Sequence, residues 1–376
     1  MRPVRADVDL DAVTANVATL RSLVAPAQLC AVVKAEGYGH GAVPVANAAL
    51  AGGADLLGVA LVAEGAELRL AGITEAVMVL SQASVDEVDD LVAHSLDATA
   101  YTAAGVEALA QAAIRAGRAM DRPVAVHLKV DTGMHRVGAQ PEEAVALAEA
   151  IVGSPGLRLA SVFTHCAVAD EPENPFTAEQ IHRYREVLAD LAAAGIDVPC
   201  RHAANTAGAI AHPDARFDLV RCGIGIYGID PSPALAGRVE LQPAMSLRAQ
   251  VSHVKRVAAG ERVSYGLRYR AERETTIATV PLGYADGVAR RLSFNGGEVL
   301  VGGARRPMAG TITMDQFLVD CGDDPVAVGD EVVLLGTQGD ESIGAQEWAD
   351  RLDTIAYEIV CGISPRVPRR YREDQP

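Results

Sequence analysis

Between Gln28 and Gly228 the chain repeats one pattern eight times: a short apolar run, a turn, then an Ala-rich stretch with helical spacing. Apolar runs without polar alternation suit strands buried on both faces, and intervening helices make such strands parallel. The strand-like runs fall at 28–34, 56–61, 76–81, 96–101, 124–131, 157–165, 200–205 and 217–223. Helix-periodic segments such as Thr102–Gly117 and Pro141–Val152 lie between them. This alternation predicts an N-terminal (β/α)8 TIM-like barrel, with an open doubly wound sheet as the structural alternative.

The texture changes after Pro231-Ser232-Pro233. From there the runs are short and β-like (Ala249–Val254, Thr275–Pro281, Glu298–Val301, Phe317–Asp320, Glu331–Leu335), with Gly and Asp turns between them and one helix at Ala345–Leu352. The expected division is a barrel over 1–236 and a mainly antiparallel β domain over 237–376. With 49% hydrophobic residues among 376, the chain can bury two cores.

Composition also excludes classes of function. A formal charge of −16 argues against general nucleic-acid binding, which needs a basic footprint. Charges interrupt every long apolar stretch, and Met1-Arg2-Pro3-Val4-Arg5 lacks the apolar core of a signal peptide, so no membrane association is expected. Cys30, Cys166, Cys200, Cys222, Cys321 and Cys361 are scattered without a CxxC pair. They read as small core side chains of a cytoplasmic protein, with no metal site.

Gly223-Ile224-Gly225-Ile226-Tyr227-Gly228 satisfies the GxGxxG pattern of dinucleotide sites. That fingerprint needs a helix opening at the glycines of an early βαβ unit, and here they run into Ile229-Asp230-Pro231. Backbone amides cradling a phosphate after the last barrel strand fit the context better.

Chemically capable residues collect at the C-terminal ends of the expected strands, the face on which such barrels carry their sites. Lys34 follows the first, Lys129 and Asp131 end the fifth, and His165 ends the sixth. Asn205 and Thr206 follow the seventh, while Arg221 and the 223–228 glycines close the eighth. Each could be a strand terminator or a helix cap. Together, an amine leaving a buried strand, a phosphate cradle and cationic partners are what a pyridoxal phosphate (PLP) enzyme requires.

Nine segments, in order, resemble the alanine racemase family: Val33–Gly41, His127–Gly138, Thr164-His165, His202–Thr206, Arg221–Gly228, Val263–Gly266, Pro281–Gly287, Gly310–Gln316 and Tyr357–Arg369. The resemblance implies a PLP-dependent racemase that interconverts L- and D-alanine and supplies D-alanine for peptidoglycan. It implies a homodimer whose active sites are shared between subunits. Lys34 would carry PLP through an imine and act as base on one face of the substrate Cα. Tyr265 of the partner subunit would serve the other face, assisted by His165. Tyr38, Asn205, Thr206, the amides of Gly223 and Ile224, and Tyr357 would bind the cofactor. Arg221 would face the pyridine nitrogen and keep it unprotonated, limiting side reactions. Arg136 and the Met314 amide would hold the substrate carboxylate, and the lysine matching Lys129 is often carbamylated.

Departures from the family pattern are Glu36-Gly37 before Tyr38, Thr313 before Met314, Thr206 for serine, and Cys222 after Arg221. None removes a catalytic group. Three rivals share the scaffold: a racemase of serine or basic amino acids, a PLP decarboxylase, and a non-enzymatic PLP carrier. Arg221 argues against the decarboxylase, which normally places a glutamate there. The carrier resembles the barrel alone.

Overall fold

The computed structural model describes residues 2–118 and 122–372. Chain contacts divide these residues into two units, one containing the described residues of 13–37 and 42–242, the other those of 1–12, 38–41 and 243–376.

The first unit contains the eight expected strands: β1 (Gln28–Val32), β2 (Leu56–Val59), β3 (Val77–Val79), β4 (Ala98–Ala100), β5 (Val124–Lys129), β6 (Leu157–Phe163), β7 (Arg201–His202) and β8 (Leu219–Cys222). Two parallel sheets, β3-β2-β1-β8 and β4-β5-β6-β7, join edge to edge. At one seam Met78 bridges Asp97 and the Val79 amide donates to the Asp97 carbonyl at 2.9 Å. At the other the Arg221 amide donates to the Ala204 carbonyl, also at 2.9 Å. Both edges are thereby closed, and the open-sheet alternative is excluded. Helix Ala103–Arg115 begins where expected because the Thr102 hydroxyl accepts the Gly105 amide.

The second unit is built from short antiparallel strands, and helix Ala345–Leu352 has the expected bounds. Two findings differ from the sequence reading. The run 249–254 is two strands, Met245–Gln250 and His253–Val257, in different sheets. Between them the Val251 amide bonds to Asp330 and the Ser252 amide to Thr279, so the chain changes sheets there. Strand Val4–Asp9, counted with the barrel in the sequence reading, pairs antiparallel with Met245–Gln250 and parallel with Arg369–Arg372.

After Lys34 the backbone turns left-handed. Ala35, Glu36, Gly37, Tyr38 and Gly39 have φ of 52°, 55°, 56°, 50° and 80°. Residues other than glycine resist this conformation by about 1–2 kcal/mol each, so other contacts must hold the turn. Glu64 supplies three: its carboxylate accepts the amides of Ala35, Ala60 and Leu61 at 2.6, 2.8 and 3.1 Å. Glu36 accepts the Ala42 amide at 3.3 Å, capping helix Ala42–Ala51, which gives this departure from the family pattern a structural role.

Gly39 has no room to change, because a Cβ there would lie 2.4 Å from the Val360 carbonyl oxygen. Gly39→Ala is expected to cost about 2–4 kcal/mol, combining backbone strain with that clash. Gly72→Ala, also left-handed but with nothing within 4 Å, should cost only the backbone share. Denaturant midpoints of the two variants check the difference.

Candidate active site

Four side chains on or just after strands of the barrel share one electrostatic neighbourhood. Half-buried Lys34 follows β1, Lys129 ends β5, His165 follows β6, and Arg221 lies within β8. Arg221 is 4% exposed, and its Nη2 donates to the carbonyls of Thr164 and Ala203, both at 2.9 Å. Its Nη1 donates to His202 Nδ1 at 2.6 Å, and Nη2 reaches His165 Nδ1 at 3.2 Å. The guanidinium also lies 5.2 Å from the Phe163 ring centroid, and His202 stacks on that ring at 4.7 Å. A β-strand position sealed by so many acceptors gives the guanidinium one orientation.

Because a guanidinium can only donate, it sets the proton positions of every neighbour. His202 Nδ1 must be the acceptor, so its proton sits on Nε2, 2.8 Å from Ser161 Oγ. Ser161 then donates to His127 Nδ1 at 2.6 Å, which leaves the His127 proton on Nε2, 3.5 Å from an Asp97 carboxylate oxygen. The chain of hydrogen bonds runs in one direction through four strands, from β8 to β5, and ends at His127. Its histidine next to Arg221 stays neutral: burial, then the Arg221 charge, push His202 well below the ordinary range. Burial and the same cation do likewise to His165, whose proton by the same logic sits on Nε2.

Lys129 is 6% exposed, with its amine 5.6 Å from the Phe163 ring centroid. Burial lowers its pKa to about 8, and the charges of Arg221, Arg136 and Lys34 push the same way against Asp131 alone. Arg136 is exposed and has no ion-pair partner among the described residues. Around Lys129 three basic side chains thus stand against the Asp131 carboxylate, a balance that suits an anionic ligand.

The expected phosphate cradle is partly engaged within the protein. Asn205 caps helix Thr206–Ala211, accepting the Gly208 amide at 2.9 Å. The Gly223 amide donates to Thr206 Oγ1 at 3.0 Å, bringing that hydroxyl against the turn after β8. Gly225 is required there, since a Cβ would lie 2.6 Å from the Thr206 methyl. Cys30 and Cys222, buried beside Arg221, have pKa values pushed up to about 12 by burial and remain thiols.

The other predicted residues belong to the second unit. Tyr38 is buried, with its ring centroid 6.2 Å from that of Tyr357. Burial raises its phenol pKa, so it stays a neutral donor. Met314 is exposed in a turn closed by the Thr313 amide on the Gln316 carbonyl. Tyr265 is 73% exposed on a turn of its own. The sequence reading gave no role to Glu64 or Ser161, and His127, His202 and Thr311 appeared only inside motifs. The readable signal was an inward-facing polar residue in an otherwise apolar strand, as at His127 and Ser161.

Residues 8–231 match the profile described as "Alanine racemase, N-terminal domain", and residues 244–371 match "Alanine racemase, C-terminal domain". A protein of Symbiobacterium thermophilum named alanine racemase is 50% identical over 372 residues, spanning 99% of this chain and 97% of its own. One of Thermobifida fusca, with the same name, is 46% identical over 369 residues, 97% of each chain. The crystal structure of alanine racemase from D-cycloserine-producing Streptomyces lavendulae superposes with a TM-score of 0.93 at 41% identity, covering 100% of this chain and 98% of that one.

Proposed function

The chain belongs to the alanine racemase family and interconverts L- and D-alanine, and we propose that Lys34 and Tyr265 are its two proton carriers. Removing a proton from one face of Cα and returning one to the other needs a base on each side. Lys34 would serve one face at the mouth of β1. Tyr265 of the partner subunit would serve the other, so the reading includes a homodimer with shared sites. Tyr265, Leu267 and Met314 are more than half exposed on the same unit, which supports a surface that a second subunit covers.

The family is PLP-dependent, and the donor set fits that group. Lys34 is the amine that would attach it, and the Thr206 hydroxyl, the Ile224 amide and the phenols of Tyr38 and Tyr357 are neutral donors suited to a phosphate. Arg221, with no proton to give up, would keep a facing pyridine nitrogen unprotonated. Bound PLP would supply the electron-withdrawing ring that makes the Cα proton removable. Arg136 and the Met314 amide would orient the substrate carboxylate. His165, with Nε2 protonated, would donate to the Tyr265 phenolic oxygen and stabilise the anion formed there.

The observation that carries this reading is the gathering of Lys34, Lys129 and Arg221 on or just after strands of one barrel, with Lys129 and Arg221 buried, which suits an anionic cofactor and substrate. Purified protein with PLP should bring the optical rotation of L-alanine to zero, and serine, lysine and arginine should react far more slowly. Retained rotation would end the reading. The match over 244–371 covers the region a barrel-only PLP carrier lacks, and a buried arginine replaces the decarboxylase's glutamate. A cytoplasmic location is part of the same proposal; among the described residues no helix is long and apolar enough to cross a membrane.

Lys129 gives a pH-dependent expectation. Its pKa of about 8 leaves much of the amine neutral at pH 8, whereas an ordinary lysine at 10.5 would be almost wholly charged. A neutral amine among cations is the form that takes up carbon dioxide, and the resulting carbamate anion would hold Arg136. Labelled ¹³C-bicarbonate should give a carbamate signal that Lys129→Ala abolishes. If unmodified, the buried cation carries its full cost below about pH 8. That cost is relieved between about 8 and 10.5, where the folded form releases its proton first, so stability would rise with pH across this window. A falling melting midpoint there, in carbonate-free buffer, would contradict the assignment.

A further inference from the structure

The turn that carries Tyr265 is strained on both sides. Ser264 has φ 65° and ψ 179°, a region essentially reserved for glycine, and Leu267 has φ 51°. Such a conformation persists only when its surroundings over-determine it. Packing does not do so here, because a groove of about 350 Å³ opens beside the turn, lined by Ser264, Tyr265, Thr311, Thr313 and Gln316 among others.

Hydrogen bonds do: Arg262 Nη1 donates to the Leu267 carbonyl at 2.8 Å on one side, and on the other Thr311 supplies the bonds. The Ser264 hydroxyl donates to the Thr311 carbonyl at 2.6 Å, and the Thr311 hydroxyl donates to the Tyr265 carbonyl at 2.8 Å. Thr311 thus holds the Ser264 side chain and the Tyr265 backbone carbonyl, one residue on each side of the peptide bond that joins them, and it is only 2% exposed. The approach is close enough to demand glycine at 310: a Cβ there would lie 2.8 Å from both Ser264 Cβ and the Val263 carbonyl oxygen.

We infer that Thr311 is a positioning residue for proton transfer by Tyr265, its hydroxyl and carbonyl holding the strained turn in the one geometry that presents the phenol. This rests on the reading of Tyr265 as second base. It assigns to Thr311 an effect on one of the two proton transfers and not on the other. Loss of the clamp lets Ser264 relax toward negative φ and swings the phenol away, while Lys34 and the barrel are untouched.

The test uses full-length, PLP-loaded enzyme carrying Thr311→Val, Thr311→Ser or Ser264→Ala, with Tyr265→Phe alongside. Thr311→Val should lower kcat by about 10–100-fold, the loss expected from misplacing a reacting group by roughly 1 Å. KM and the visible-edge band of bound PLP should change little. Thr311→Ser, which keeps the hydroxyl, should recover kcat to within a few-fold. The decisive readout is the substrate isotope effect with α-deuterated alanine in each direction. It should rise for the enantiomer whose proton Tyr265 removes and fall for the other, because one transfer alone has become slower. A merely structural role would slow both steps and leave their ratio unchanged. Crystal structures should show the Tyr265 carbonyl displaced in Thr311→Val and position 264 at negative φ in Ser264→Ala.

Should Thr311→Val fold poorly, Ser264→Ala carries the same expectation through the other bond. Wild-type kcat and isotope effects in the variants, with Tyr265→Phe inactive, would overturn the clamp and leave the role of Tyr265 standing. An active Tyr265→Phe would overturn both.

Discussion

Replacing Lys34 by alanine is expected to abolish racemisation, a loss well beyond the ~10²–10⁴-fold that removal of a single general base causes. Two functions leave together: the amine that would attach the cofactor and the proton carrier on its face of Cα. The visible-edge band of lysine-bound PLP should vanish, while far-UV circular dichroism and the melting midpoint of the cofactor-free protein stay near wild type. The second expectation follows from position: Lys34 is half-buried, and the left-handed turn after it is anchored by the backbone amide of Ala35 on Glu64. Methylamine should restore part of the rate by occupying the vacated space. Full activity in Lys34→Ala would remove the basis for every role assigned at the barrel mouth.

Tyr265→Phe is expected to lower kcat by about 10²–10⁴-fold while leaving the PLP band and its affinity nearly unchanged. Only the phenolic oxygen is removed, and that oxygen makes no hydrogen bond among the described residues, so stability should move by less than about 0.5 kcal/mol. Exchange of the α-proton with solvent sharpens the test. Lys34 can still remove a proton from its own face and return a solvent-derived one there, so one enantiomer should exchange without inverting. The other should neither exchange nor invert. Equal exchange of both enantiomers would show that a single carrier, or another residue, serves the second face.

The barrel was legible because its strands are buried on both faces and therefore written as uninterrupted apolar runs, such as Leu29-Cys30-Ala31-Val32. Even β7, reduced to Arg201–His202, fell inside its expected run. The second unit was harder to read. Val4–Asp9 alternates apolar and charged residues at strand spacing, yet its partners lie more than 200 residues away and no local signal names them. Strand Ala304–Pro307 reads Ala-Arg-Arg-Pro and has almost no apolar content, so only pairing with Glu298–Val301 makes it a strand. Among candidate site residues, the strand-end cations were visible as polar breaks after apolar runs. Glu64 was not, because an acid in the first turn of a helix is also what helix electrostatics favours. Thr311 escaped for a similar reason: a threonine between Gly310 and Ile312 carries no signal until Ser264 is found beside it in space.

The single direction of the hydrogen bonds behind Arg221 bears on how this scaffold could drift toward other chemistry. An acid at position 221 would offer no N–H to His202 Nδ1 or to the carbonyls of Thr164 and Ala203. To meet a carboxylate, His202 would have to move its proton to Nδ1 or take a second one. In the first case Ser161 would reverse, His127 would follow, and Asp97 would face a bare nitrogen in place of an N–H. The donor pattern of one arginine is thus written into protons across the barrel interior, so an exchange of that residue for an acid would have to rewrite several of them together.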